Sequence, residues 1–220
     1  MTLLDEIKEG RTDLVFEYIK ETPAPEREPL IETCAYYGDV SGMKYLLLNG
    51  EKLSSLGKDL GLIGACFHGH WQLTKFLVER GAKVNFAMSD TGETPLHTVL
   101  SQHERMRHNQ VLKVLLASGA NPNKAAKKNI PTGAFMRDCR TKGEYPLHRA
   151  AAFGDVEAIQ MLLDAGAKLD VKDMNGETPL SWGSWHARPR PILRKLLYGK
   201  HYISPENRGM EENLVGKAQS

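Results

Sequence analysis

The sequence has no apolar run approaching the 18 or more residues that a membrane-spanning helix requires, so no membrane partner is expected. Its first residues include Asp5, Glu6 and Lys8 and lack the basic-then-apolar order of a signal peptide; an intracellular, cytoplasmic chain is expected. Cysteine is scarce. Cys34, Cys66 and Cys139 are odd in number, widely spaced and without a C-x-x-C pair, which argues against a disulfide framework and a zinc knuckle. Cys34 and Cys66 fall at apolar helical positions and read as packed thiols.

Catalytic signatures are lacking too. Gly57-Lys58 has neither the second glycine nor the hydroxyl residue of a P-loop, and Ser184 near His186 lacks the Gly-x-Ser-x-Gly elbow. His68-x-His70, and His103 with Glu104 and His108, are the residue types of metal ligands without three or four ligands in a recognised spacing. No catalytic residue, metal site or cofactor is assigned, and the chain is expected not to be an enzyme.

What the sequence does have is self-similarity. Gly92-Glu93-Thr94-Pro95-Leu96-His97, Gly143-Glu144-Tyr145-Pro146-Leu147-His148 and Gly176-Glu177-Thr178-Pro179-Leu180-Ser181 are near copies. After each come helix-sized apolar segments and a glycine turn, at Gly119, Gly166 and, less regularly, Gly199. A period near 33 residues makes the folding unit a small helical hairpin stacked on its copies. Pro95, Pro146 and Pro179 stand where helices start, with hydroxyls from Thr94 and Thr178 beside the free N–H groups. Gly38, Gly69 and Gly154 stand where the chain reverses between paired helices, a place that favours positive φ. Ala35, Ala65, Ala150 and Ala151 allow close helix approach, and Leu115, Leu116, Leu162 and Leu163 fill the space between units.

These motifs resemble the ankyrin repeat, most completely from Tyr145-Pro146-Leu147-His148-Arg149-Ala150-Ala151-Ala152-Phe153-Gly154-Asp155 to Met161-Leu162-Leu163-Asp164-Ala165-Gly166-Ala167. Weaker copies run from Ala35-Tyr36-Tyr37-Gly38 to Leu46-Leu47-Leu48-Asn49-Gly50 and from Ala65-Cys66-Phe67-His68-Gly69 to Phe76-Leu77-Val78-Glu79-Arg80-Gly81. The resemblance implies an all-α solenoid of about five to six hairpin units with short β-turn loops. Units are expected near 2–22, 28–50, 59–85, 90–123, 141–171 and 174–200, within an array spanning 1–203 and followed by a flexible tail at 204–220. Two departures stand out. Unit four is four residues longer than unit five between its opening and its glycine, around His103 to His108. Gly119 and Gly166 are 47 residues apart, which places a long basic insertion at 124–140.

The resemblance also implies a function: binding another protein through a concave face, as a scaffold or adaptor, with the protein itself a monomer. The two positions before each mid-hairpin glycine give the candidate surface: Tyr36 and Tyr37, Phe67 and His68, Ala152 and Phe153, and by looser register Trp185 and His186. Unit four contributes Ser101 and Gln102, with its inserted residues around His103 to His108 just beyond. The resemblance makes His97 and His148 structural, bonded to neighbouring loop backbone rather than serving as bases. Trp182 and Trp185 read as packing or as the lining of a pocket.

Charge supplies an alternative. Net charge is only +2, yet residues 1–33 hold nine acidic against four basic side chains, and residues 124–142 hold six basic against one acidic. Lys124, Lys127, Lys128, Arg137, Arg140 and Lys142 surround Ile130, Phe135 and Met136. Such a loop would attract nucleic acid, a phosphorylated ligand or an acidic segment of a protein.

Overall fold

The computed structural model describes residues 2–102, 105–132 and 140–199. The expectations placed on His103, Glu104, Phe135, Met136, Arg137, Cys139 and the 204–220 tail lie outside them. In chain order the described residues form α1 (Leu3–Lys8), α2 (Val15–Glu21), α3 (Ile31–Tyr37), α4 (Val40–Leu48), α5 (Leu62–His68), α6 (Trp71–Glu79), α7 (Pro95–Leu100) and α8 (Arg105–Ala117). Then come β1 (Lys128–Pro131), β2 (Arg140–Lys142), α9 (Pro146–Phe153), α10 (Val156–Asp164), α11 (Pro179–Trp185) and α12 (Arg190–Lys195).

Each of Pro95, Pro146 and Pro179 is the first residue of its helix, where a missing N–H costs nothing. The Thr178 hydroxyl accepts the Ser181 N–H at 3.2 Å. At the second helices the cap is an aspartate: Asp39 accepts from Gly42 at 2.9 Å and Asp155 from Ala158 at 2.7 Å. Helices of six to nine residues are too short to persist alone, so their stability has to come from packing.

The packing is in two layers. First helices α3, α5, α7, α9 and α11 each touch the next in the series, and second helices α4, α6 and α8 do likewise, continuing through α10 to α12. Between the layers lies one continuous apolar core, including Leu46, Leu77, Leu115, Ala150 and Leu162, all essentially without solvent contact. Ile7, Val15 and Ile19 continue it into the N-terminal pair, whereas Phe16 stays partly exposed, its ring 4.7 Å from that of Tyr45.

Loops link successive units through backbone and amide bonds. Asn85 takes the Asn121 N–H at 2.7 Å and donates to the Gly119 carbonyl at 2.9 Å; Asn123 repeats this with Lys168 and Gly166. Within the basic segment β1 and β2 pair antiparallel, Lys128 opposite Lys142 and Pro131 opposite Arg140.

One glycine departs from expectation. Gly38 and Gly69 have φ of +75° and +74°, but Gly154 has φ −73° with extended ψ. A Cβ at Gly154 would lie 2.6 Å from the Ala150 carbonyl oxygen, so contact excludes a side chain there, not handedness.

Candidate functional site

His97 and His148 join neighbouring units. Nδ1 of His97 accepts the Thr94 N–H at 3.1 Å, which places the proton on Nε2, and that nitrogen donates to the Glu144 carbonyl at 3.1 Å. Nδ1 of His148 accepts from Tyr145 at 3.2 Å while Nε2 donates to the Glu177 carbonyl at 3.0 Å. Burial, with the Arg149 cation beside it, holds the His97 imidazole well below its ordinary pKa; burial lowers His148 too. With both nitrogens engaged, neither ring is free to act as a base.

Beneath them sits a buried ionic centre that sequence reasoning missed. Arg149, wholly buried on α9, binds Glu144 Oε1 through Nε at 3.1 Å and Nη2 at 2.5 Å. Nη2 also binds the Glu93 carboxylate, and Nη1 reaches Ser101 Oγ at 3.0 Å. Thr132, at the end of the basic segment's first strand, donates to Glu93 Oε2 at 3.0 Å. An arginine opening the run Arg149-Ala150-Ala151-Ala152, together with the glutamate recurring in Gly-Glu-Thr/Tyr-Pro, is the signal that could have revealed it.

The exposed rings divide into two groups. Near the N-terminal end, Tyr36, Phe67 and Tyr37 are 59%, 49% and 41% exposed. His68, half-buried between them, has its ring 4.7 Å from Tyr36 and 5.1 Å from Phe67. Two imidazoles bond the ends of the first helices: His70 Nε2 to the Tyr36 carbonyl at 2.8 Å and His108 Nε2 to the Phe67 carbonyl at 3.0 Å. Beside them opens a groove of about 880 Å³, where Tyr37, His70, Trp71, Arg105, Met106 and Arg107 are among the lining residues. None of the described residues that line it is acidic. Met106, 88% exposed, is one of the inserted residues expected just beyond the candidate surface, whereas Trp71, 41% exposed, was not anticipated because it begins a second helix, outside the pre-glycine register.

At the other end, half-buried Phe153 has its ring 5.2 Å from that of exposed His186. Trp185 is 66% exposed, and Trp182 is buried with its indole N–H on Asp173 Oδ2 at 3.1 Å. Two candidates are corrected. Ser101 is buried because its hydroxyl is spent on the His97 carbonyl and Arg149; Ala152 is buried on α9, against which α11 packs. Gln102 is half-buried between the two groups.

On the basic segment, Lys124 Nζ bonds the Asn85 carbonyl at 3.2 Å, Lys127 Nζ that of Ser89 at 2.7 Å, and Arg140 that of Asn129 at 2.8 Å. Lys142 Nζ lies 5.6 Å from the Trp182 ring centre. Among the described residues none of these cations, nor Lys128, pairs with a carboxylate. No group of three or more His, Cys, Asp or Glu among the described residues is placed to hold a metal ion, and no described helix is long and apolar enough to cross a membrane.

Comparison with known proteins agrees with this architecture. Over 165 residues the chain is 30% identical to human ankyrin repeat and SOCS box protein 16, covering 61% of this chain and 36% of that one. Rat cyclin-dependent kinase 4 inhibitor B is 32% identical over 124 residues, 56% of this chain and 81% of the relative. Mouse palmitoyltransferase ZDHHC13 is 27% identical over a stretch that takes in 78% of this chain but 37% of that enzyme. The chain thus spans about a third of the first and third of these relatives and most of the second. The family model described as ankyrin repeats (3 copies) matches residues 30–126 and 123–207, and the chain belongs to the ankyrin repeat family.

Proposed function

We propose that this chain is a non-catalytic, monomeric protein-binding module of the cytoplasm. Ankyrin repeats serve as interaction domains, and the observation that carries the reading here is the N-terminal aromatic group. Tyr36, Tyr37, Phe67, Trp71 and Met106 are five of the ten large apolar side chains exposed among the described residues, with Tyr37, Trp71 and Met106 at one groove and the Tyr36 ring 5.0 Å from that of Tyr37. Rings held on short packed helices give up little conformational entropy on binding, which is how interface anchors gain affinity. Arg105 and Arg107 stand beside them at the groove. The palmitoyltransferase relative does not extend its named activity to this chain, since the match spans 37% of that protein.

The test is capture of partners from host lysate with wild type and a Tyr36→Ala/Phe67→Ala/Trp71→Ala variant of matched melting temperature. Loss of a captured protein only in the variant supports the reading. Equal capture by both moves the site off these rings.

A second reading rests on the uncompensated cations of the basic segment, whose hydrogen bonds go to carbonyls and leave full positive charge at Lys124, Lys127 and Arg140. It makes the segment an anion-binding element for an acidic protein, a phosphorylated ligand or nucleic acid. Affinity for an RNA or a phosphopeptide that falls steeply with salt, and disappears when these three residues become alanine, would support it.

A further inference from the structure

A second cleft, of about 260 Å³, opens where the end of β2 meets α11, and Trp182, Trp185, His186, Glu177, Asp173, Asn175 and Lys142 line it. Trp182 forms its floor, fixed by the indole bond to Asp173 and stacked with His186 at 6.3 Å between ring centres. Trp185 stands exposed at its side. The face of the Trp182 ring already carries an ammonium group, that of Lys142, 5.6 Å from the ring centre.

We propose that this cleft is an alkylammonium site, held in the free protein by the chain's own Lys142 and taken in a complex by a methylated lysine of the partner protein. The inference rests on the reading of the first-helix face as partner-facing, and assigns chemistry to its C-terminal end. Aromatic faces carry negative quadrupole potential and attract a cation without hydrogen bonds. The carboxylates settle which cation fits. Three of the four acceptor sites of Asp173 are taken: Oδ1 accepts the N–H groups of Asn175 at 2.8 Å and Glu177 at 2.9 Å, and Oδ2 accepts the Trp182 indole. That leaves one site on Asp173 Oδ2, the half-buried Glu177 carboxylate and the Asn175 side-chain amide. An unmodified ammonium has to exchange its hydration for these few acceptors to satisfy three donors, whereas a trimethylated one has no donors to satisfy.

Lys142 is suited to leave. Its backbone is fixed, its N–H on Glu144 Oε2 at 2.7 Å and its carbonyl accepting from Met174 at 2.7 Å, while its side chain is exposed and, among the described residues, bonded to no carboxylate. Exchange therefore needs only side-chain rotation. Once the lysine swings out, the lining charge is that of Asp173 and Glu177, net negative.

The experiment is a fluorescence titration of the full chain in a Trp71→Phe background, so that emission comes from Trp182 and Trp185, using n-butyltrimethylammonium and n-butylammonium as probes. The quaternary ion should quench saturably with a dissociation constant in roughly the millimolar range. Lys142→Ala should tighten it about two- to fivefold, the worth of one exposed cation–π contact, and Trp185→Ala should weaken it by a similar factor. Both substitutions are at exposed side chains, and an unchanged melting temperature checks the fold. Absence of saturable quenching in the wild type and in Lys142→Ala overturns the site. Unchanged affinity in Lys142→Ala overturns the internal-occupant role, and equal affinity for the two probes overturns the preference for methylated lysine. Because the probes are defined ions, these failures are separate from a failure of partner capture at the N-terminal rings.

Discussion

The guanidinium of Arg149 binds the carboxylate of Glu93 across the boundary between successive repeats, and neither residue has appreciable access to solvent. Glu144 completes the set and Thr132 ties the basic segment to it. A buried pair of this kind contributes little relative to an apolar replacement of the whole, but removing one member strands charge in the interior. Arg149→Met should therefore destabilise the protein by about 3 to 5 kcal/mol in urea unfolding. Adding Glu93→Gln and Glu144→Gln to that variant should restore a large part of the loss. A loss equal in the single and triple variants would show that the shape of Arg149, not its charge, matters.

Leu162 and Leu163 are adjacent on α10 but differ in environment. Leu162 is wholly buried between the layers, while Leu163 is only half-buried. Leu162→Ala should cost about 2 to 5 kcal/mol. Leu163→Ala should cost distinctly less, because part of the removed area already faces water. Equal costs in denaturant unfolding would place the two leucines in equivalent surroundings and contradict the packing described.

Cys34 and Cys66 are fully buried on α3 and α5. Burial pushes the Cys34 thiol up to about 12 and Cys66 higher still, so thiolate is scarce at neutral pH. In a Cys139→Ser variant, a chromogenic disulfide reagent at pH 8 should react with neither thiol over minutes, then with both once urea is added. Rapid native labelling would mean that α3 or α5 opens locally far more often than the core packing permits.

How much of this was legible in the sequence follows from the range of each interaction. Helix starts at Pro95, Pro146 and Pro179 and reversals at Gly38 and Gly69 are local, and they read directly. The repeat period implied stacked like units, and the ankyrin resemblance supplied the roles of His97 and His148. The Arg149 centre was not legible, because spacing does not say which carboxylate meets a guanidinium 56 positions away. Ser101 was misplaced for the same reason: α7 ends at Leu100, and the next residue turns inward to bond Arg149. Trp71 escaped notice because the register used for the surface stops at the glycine. The Trp182 cleft depends on the approach of Lys142 from a strand 40 residues earlier, which only the fold supplies.

The neutral imidazoles make stability depend on pH in a definite direction. His97 is wholly buried with its pKa held well down, and His148 is lowered by burial, though its bond to the Glu177 carbonyl works the other way. In the unfolded chain both titrate near 6.5, so below that pH the unfolded state binds more protons than the folded one. The stabilisation is fully present above about pH 6.5 and is lost as pH falls toward the folded pKa values. Between pH 7.5 and 5.5, His97 should account for a loss on the order of 1 kcal/mol, and His148 for less. Urea midpoints of wild type and His97→Gln at the two pH values test this, since glutamine can donate to the Glu144 carbonyl but does not titrate. The variant should be less acid-sensitive by about that amount, and the His97 ring proton shift of the wild type should stay flat down to pH 5.5. An unchanged pH dependence in the variant, or a ring that titrates near 6.5, would show that His97 is protonated inside the array and that its bonds to Thr94 and Glu144 are arranged differently.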